Sequence, residues 1–506
     1  TVYTAAEVVF RSRDRGMNWE VISPELTKND PEKQKAGGSP SSLETSGQEA
    51  YNTIHRMVAS KVEPGILWTG SDDGLIFLSR DGGETWNNVG PDLPEDSDVY
   101  ELEASPHDAA TAYFVVSRYR TANDFKPHVF RTTDFGETWT DLSDNFPQGE
   151  ITRTIREDTV RKGLLFVGTE TGVFYSLDDG SSWARLNNTL PAVPVHDIEV
   201  KDEDLCIATF GRSFWILDDI SPLRQATAET GTTAHLFEPR THKRFGINWW
   251  ALYGGGVGGG QKNYFVQNGR VGHTFIELGI VNGERKRKFL DSGDARPRGA
   301  IIYYNLPEGA RDVSLAILDA EGRTVSTYEG DAVSANPGLN RMIWGMTYAD
   351  VVRIPGKPPA GVAVEARPGT YQAQSTLDGE TQTRSFELKK NPTEKWTQAD
   401  ADARFELWWR LRDVFERANT TIIAAREAAE KAGEGSDVAQ RAAEFSGKLV
   451  PMGANLSQIA NEPPKLLSKL QTVNWMLFHS EGRPPQSPSD VLEEMEPLFE
   501  AEIASW

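Results

Sequence analysis

The strongest constraint on the fold is an eight-residue pattern, hydroxyl-x-Asp-x-Gly-x-x-Trp, that occurs four times in the first 183 residues. The copies run from Ser12, Ser79, Thr132 and Ser176. They carry Asp14, Gly16 and Trp19; Asp81, Gly83 and Trp86; Asp134, Gly136 and Trp139; and Asp178, Gly180 and Trp183. Each follows a short β-prone run (Glu7 to Arg11, Leu75 to Leu78, His128 to Arg131, Gly172 to Tyr175) and leads into another. Strand residues, an Asp-x-Gly turn in which glycine supplies positive φ, and a strand opened by a large aromatic are the sequence of a β-hairpin. The carboxylate accepts backbone N–H groups within its own turn, the hydroxyl does likewise, and the Trp wedges between neighbouring sheets. The motif is therefore read as fold-forming and not as catalytic.

The repeat aspartates lie 67, 53 and 44 residues apart, which suits one four-stranded propeller blade of ~40 to 50 residues per copy, with loop insertions. The longest interval holds the polar stretch from Thr27 to Gln48, read as an exposed loop. After the fourth copy, His196 to Val200, Leu205 to Thr209 and Phe214 to Leu217 supply three more strands, and the motif has decayed to Asp218-Asp219. The count is about four and a half blades within residues 1–225. Residues 1 to 11 hold only the last strand or two before the first copy, so the first blade is expected to be incomplete. An open ring exposes strand edges. The expectation is that a second polypeptide, or a cleaved N-terminal half that stays bound, completes the propeller; the alternative is a small ring closed by the strands present.

In this strict form the motif resembles the Asp-box, or BNR, repeat of sialidase-like β-propellers. The context Gly168-Thr169-Glu170-Thr171-Gly172-Val173, with Gly211-Arg212-Ser213-Phe214-Trp215 through Asp219 closing the array, is similar to large bacterial proteins labelled BNR-repeat glycosyl hydrolases or sortilin-like propellers. The resemblance covers residues 1 to about 225, and the remainder in outline. It implies an extracellular or periplasmic location, although Thr1-Val2-Tyr3 reads as strand, with no signal peptide in front of it.

Residues 221–235 are polar and read as a linker. Residues 236–392 then offer short strands at ~10-residue spacing, Gly299 to Leu306, Val313 to Leu318, Thr324 to Tyr328, Leu339 to Trp344, Gly369 to Leu377 and Thr381 to Leu388, which read as a β-sandwich. The phrases Pro337-Gly338-Leu339-Asn340 and Pro368-Gly369-Thr370-Tyr371 resemble immunoglobulin-like modules of secreted proteins. The Gly-rich loop 254–260 lacks the Lys-Ser/Thr of a phosphate-binding loop. Residues 395–506 turn to helical periodicity: a helix up to Ala432, then Asp437 to Ile459, Pro464 to Phe478, and Pro488 to Ile503 with a capping signature at Ser487 to Asp490. Short loops make these an antiparallel bundle. The fold class is mainly β with an α C-terminal part.

A net charge of −21 argues against nucleic acid as a partner, because phosphates need a basic face. No apolar run is long enough to cross a bilayer. The single cysteine, Cys206, excludes an internal disulfide and reads as a buried, inert thiol. The eight histidines show no ligand spacing, so neither metal nor cofactor is expected.

A sialidase needs an arginine triad, a Tyr activated by Glu and an acid Asp, and the Phe-Arg-Ile-Pro segment that carries the first such arginine is absent. An inverting glycosidase needs two carboxylates facing across a cleft. Asp72, Asp73, Glu157, Asp158, Glu170 and Asp197 are the available candidates, and no spacing selects a pair. Arg118, Tyr119, Arg120, Arg153, Arg156, Glu170, Arg212 and Trp215 combine cation and aromatic in a manner suited to sugar or carboxylate recognition. The same arginines also suit salt-bridge networks between blades. The expected function is a non-catalytic binding and assembly protein with a protein or glycan partner. The alternatives are a glycoside hydrolase, and a sortilin-like receptor for peptide segments. No catalytic residue is assigned.

Overall fold

The computed structural model describes residues 1–31, 33, 51–95, 97–186, 190–227, 229–244, 262–267, 270–281, 284–289, 299–310, 312–355, 362–377, 379–392, 394–450, 465–480 and 482–506. Most of the Thr27 to Gln48 loop and the whole of 254–260 lie outside these residues. The chain divides into two compact units, 1–227 and 228–506.

The first unit is five antiparallel sheets in chain order. Sheet I is β1 (Val2–Ala5), β2 (Val9–Ser12) and β3 (Glu20–Val21). Sheet II is β4 (Ile54–Ala59), β5 (Leu67–Ser71), β6 (Ile76–Ser79) and β7 (Asn87–Asn88). Sheet III is β8 (Asp98–Ala104), β9 (Ala112–Ser117), β10 (Val129–Thr132) and β11 (Thr140–Asp141), with the short helix α1 (Tyr119–Ala122) after β9. Sheet IV is β12 (Thr152–Glu157), β13 (Leu165–Thr169), β14 (Val173–Ser176) and β15 (Ala184–Arg185). Sheet V is β16 (Val195–Lys201), β17 (Asp204–Thr209) and β18 (Phe214–Leu217). Sheets I and V have three strands and the middle three have four, each strand pairing with the next in sequence.

The repeat motif makes the turn after the third strand of the four-stranded sheets and after β2 of sheet I. In every copy the hydroxyl accepts the glycine N–H, at 2.7 Å for Ser12 and Gly16, 2.8 Å for Ser79 and Gly83, 2.9 Å for Thr132 and Gly136, and 2.8 Å for Ser176 and Gly180. The carboxylate accepts the backbone N–H four residues on, 2.9 Å from Asn18 to Asp14 and 2.9 Å from Thr85 to Asp81. Donation first from the Asn18 and Thr85 side chains, then from their backbone, holds Asp14 and Asp81 down at about 2.

Consecutive sheets pack face to face, and first strand lies against first strand, β4 on β8, β8 on β12 and β12 on β16. Two second-strand glycines permit that approach: a Cβ on Gly70 would stand 2.5 Å from Val99, and one on Gly168 would stand 2.7 Å from Val195. The apolar layers between sheets are filled by residues such as Trp68, Phe114, Val167 and Phe166.

The stretch 221–235 is not a linker throughout. It opens with α2 (Ser221–Gln225), on which Ser221 and Pro222 are buried, and Arg224 forks onto the wholly buried Asp158 at 2.7 Å. A polar composition hid a helix docked through one ion pair. Cys206 is only half-buried, because β17 has sheet IV on one side alone.

In the second unit, β19 (His235–Leu236), β24 (Ala300–Leu306) and β27 (Gly338–Trp344) form one sheet. β20 (His242–Arg244), β25 (Ser314–Asp319), β26 (Thr324–Glu329), β28 (Gly369–Leu377) and β29 (Glu380–Lys390) form another. The two enclose a core around Trp344, Tyr304, Tyr371 and Phe386. A third sheet is β21 (Lys262–Gln267), β22 (Arg270–Val281) and β23 (Glu284–Phe289). Four helices follow: α3 (Gln398–Ala432), α4 (Asp437–Leu449), α5 (Leu466–His479) and α6 (Gln486–Ser505). Thr397 caps α3 through a reciprocal box with Asp400. The helix α6 begins at Gln486 behind Pro485 with no side-chain cap, so the Ser487 to Asp490 signature lies inside it. The helices share a core with Val351, Val362 and Val364, built around Trp408 and Phe415.

Candidate functional site

The four first strands β4, β8, β12 and β16 each carry a break in register at the same place, between Ile54 and Arg56, Val99 and Glu101, Thr152 and Thr154, and Val195 and Asp197. The extra residue in each is His55, Tyr100, Arg153 and His196. A bulge turns one side chain out of the alternation of its strand, and here four of them do so at one level of the stack. Three of the four, Tyr100, Arg153 and His196, come together. Tyr100 and His196, from sheets III and V, stand edge to face with centroids 6.2 Å apart, and the Arg153 guanidinium of sheet IV lies 5.2 Å from the Tyr100 ring centroid. Contact between sheets two apart means that the first strands converge, so these sheets stand as blades of the β-propeller type.

Arg153 is 4% exposed. It bonds Glu170 through Nε and Nη2, donates to Tyr119 Oη at 3.0 Å, and is flanked by the Tyr100 and Tyr119 rings. Its Nη1 is buried without a hydrogen-bond partner. The exposed Arg120 donates its Nε to the same Tyr119 hydroxyl at 2.6 Å. Beside them Phe210 stacks on His196 at 5.3 Å and 17° while remaining 71% exposed, a ring face open to a ligand. Burial first, then Arg153, holds the His196 imidazole below its usual range and hence neutral near pH 7.

Further along the strands, one residue after the bulge in sheets II, III and V and three after it in sheet IV, runs a ladder of alternating charge. Arg56 Nε forms an ion pair with Glu101 at 3.2 Å; Glu101 accepts from Arg156 at 3.2 Å; and Arg156 reaches Asp197 at 2.7 Å. Sheets II to V are thus stitched in sequence, +, −, +, −. Behind it Glu103 is pushed up to about 7, by burial above all, against the opposing pull of Arg156. At the far side His55 bonds Asp98 at 2.9 Å and stands 3.9 Å from Asp72. That bond to Asp98 raises His55, and burial raises Asp72 to about 6.

Of the sequence candidates, the structure brings Tyr119, Arg120, Arg153 and Glu170 into one constellation. Arg118 is engaged within its own loop by Asp124 at 2.9 Å, and Arg156 serves the ladder. Arg212 and Trp215 sit in the β17–β18 hairpin, where the Arg212 carbonyl accepts from Trp215 Nε1 at 2.9 Å. Among the carboxylates, Asp73 accepts from Ser71 and from the Lys28 backbone, Glu157 from the Gly163 backbone, and Asp158 from Arg224. These three hold turns and ends of sheets. His55, Tyr100, His196 and Phe210 escaped sequence reading. For the first three the signal is a repeated polar or aromatic residue one place after a β-branched one at each first-strand start, whereas Phe210 follows the second strand of sheet V. No group of three or more His, Cys, Asp or Glu able to hold a metal ion occurs among the described residues. No described helix is long and apolar enough to cross a membrane.

No family model matches the chain. A curated relative, vacuolar protein sorting/targeting protein 10 of Emericella nidulans, is 26% identical over 185 residues, which is 34% of this chain and 12% of that protein. The match thus spans a small part of the relative's length. Among solved structures, YCF48 bound to D1 peptide is similar at 12% identity and a TM-score of 0.26, over 66% of this chain and 81% of that one. An ancestral GH74 enzyme is similar at 12% and 0.30, over 78% and 61%. The GH74 xyloglucanase from Xanthomonas campestris is similar at 13% and 0.26, over 69% and 46%.

Proposed function

We propose that the chain is a non-catalytic binding protein of the Asp-box propeller kind, working outside the cytoplasm, whose ligand seats on the bulge residues where the first strands converge. The observation that carries this reading is the convergence of Tyr100, Arg153 and His196 beside the open ring of Phe210. An exposed aromatic face stacked on His196, which feels the Arg120 charge, suits a ligand with an apolar or sugar-ring surface and an acidic group. Such a ligand is a segment of a protein or glycan partner; the peptide form is the sortilin-like variant of the reading. The test is a binding screen of acidic glycans and acidic peptides against the intact chain, repeated with Phe210→Ala and Arg120→Ala. A ligand that loses at least tenfold in affinity with both variants supports the site, and a ligand indifferent to both removes it.

A second reading, glycoside hydrolysis, is favoured by one observation. Asp72 retains its proton to about pH 6 close to His55 and Asp98, as a general acid requires. Release of reducing ends from a polysaccharide by the wild-type chain, abolished by Asp72→Asn, would establish it in place of the first.

A further inference from the structure

The three joints between repeat-bearing sheets, I to II, II to III and III to IV, share one device. The residue three places after a repeat Trp sits over the glycine and Trp of the next copy. Trp86 Nε1 donates to the Ile22 carbonyl at 2.9 Å, and Trp139 Nε1 to the Val89 carbonyl at 2.6 Å. A Cβ on Gly83 would stand 2.8 Å from Ile22, one on Gly136 2.7 Å from Val89, and one on Gly180 2.5 Å from Leu142. The glycines are bare because an aliphatic side chain of the preceding sheet rests on them. Gly16 and Trp19 are built alike, yet among the described residues a Cβ on Gly16 would meet within 4 Å only Trp19 itself. Trp19 is 44% exposed and its neighbour Met17 81%, whereas Trp86, Trp139 and Trp183 are all partly buried.

We propose that the Gly16–Trp19 face of sheet I is a docking surface for one further repeat sheet lying outside residues 1–506. The incoming sheet carries an aliphatic residue three places after its own repeat Trp. That side chain rests on Gly16, and its carbonyl accepts from Trp19 Nε1. A second copy of these residues does not meet the requirement. Ile22, Val89 and Leu142 are already seated on their own next sheets, Leu186 packs into the layer beneath sheet V, and sheet V has neither a fourth strand nor a repeat turn. The inference is independent of the ligand site, since it concerns the opposite end of the run of sheets.

The test places a photo-crosslinking amino acid at Met17 of the tagged protein in its native cells, and sequences the crosslinked peptide by mass spectrometry. The expected product contains hydroxyl-x-Asp-x-Gly-x-x-Trp-x-x-aliphatic from outside residues 1–506, and Trp19→Ala lowers its yield at least tenfold with unchanged circular dichroism. A crosslink to a segment within residues 1–506, a crosslink to a peptide without the repeat, no crosslink, or a yield indifferent to Trp19→Ala each overturns the proposal.

Discussion

Tyr100 of sheet III and His196 of sheet V meet edge to face, with Oη 3.5 Å from Nδ1, although a whole sheet lies between their strands in sequence. They touch because bulges lift both side chains out of their strands at one level, with Arg153 of the intervening sheet lifted beside them. The same contact makes the bulge residues a single site, and several outcomes depend on it.

Removing the guanidinium of Arg153, whose side chain is 5% exposed, leaves the partly buried Glu170 without its partner. Arg153→Met is expected to destabilise the chain by about 2 to 3 kcal/mol, and the double variant Arg153→Met/Glu170→Gln by less than that single change. Urea denaturation of the four proteins of the cycle measures it.

The repeat Trp residues are expected to divide by environment. Trp139 is enclosed by Trp68 and Phe114 and bonded to the Val89 carbonyl, so Trp139→Ala should cost about 3 kcal/mol. Trp19→Ala in the isolated chain should cost below about 1 kcal/mol, because Trp19 is 44% exposed and no other sheet of the described residues covers it. Midpoints of chemical denaturation compare the two.

Acid should act on the repeat turns. Asp14 and Asp81 hold pKa values of about 2 against an ordinary 3.8, so their contribution is complete above about pH 4 and is lost as pH falls towards 2. Carboxyl NMR titration should show both midpoints well below those of ordinary aspartates, and Thr85→Val should bring Asp81 back towards 3.8.

Rising pH should act on the first strands with the opposite sign. Glu103 keeps its proton in the folded chain to about pH 7, while the unfolded chain releases it near 4.5. The stability it contributes is therefore lost as pH climbs from about 4.5 to 7. Glu103→Gln is expected to flatten that slope in denaturation midpoints taken across the interval. An unchanged slope would assign it to Asp72, which burial raises from 3.8 to about 6 and which therefore gives a loss of the same sign within that interval.

Much of the sheet architecture was legible because its causes are local. An Asp-x-Gly turn closes on its own hydroxyl and carboxylate whatever surrounds it, so the four turns and the strands beside them follow from residues within reach of one another. The Thr397 to Asp400 box starts α3 for the same reason. What only the tertiary structure decided is which side chains share a site. A bulge is a choice between two strand registers, made by packing against the next sheet, so the residue pattern at the strand starts does not by itself make Tyr100 and His196 companions of Arg153. The arginines were visible as residues but not as roles: Arg153 becomes part of the constellation and Arg156 a rung between sheets because sheets III, IV and V converge. The helix at Ser221 escaped for a related reason, since its place rests on Arg224 reaching the Asp158 carboxylate, 66 residues away in the chain.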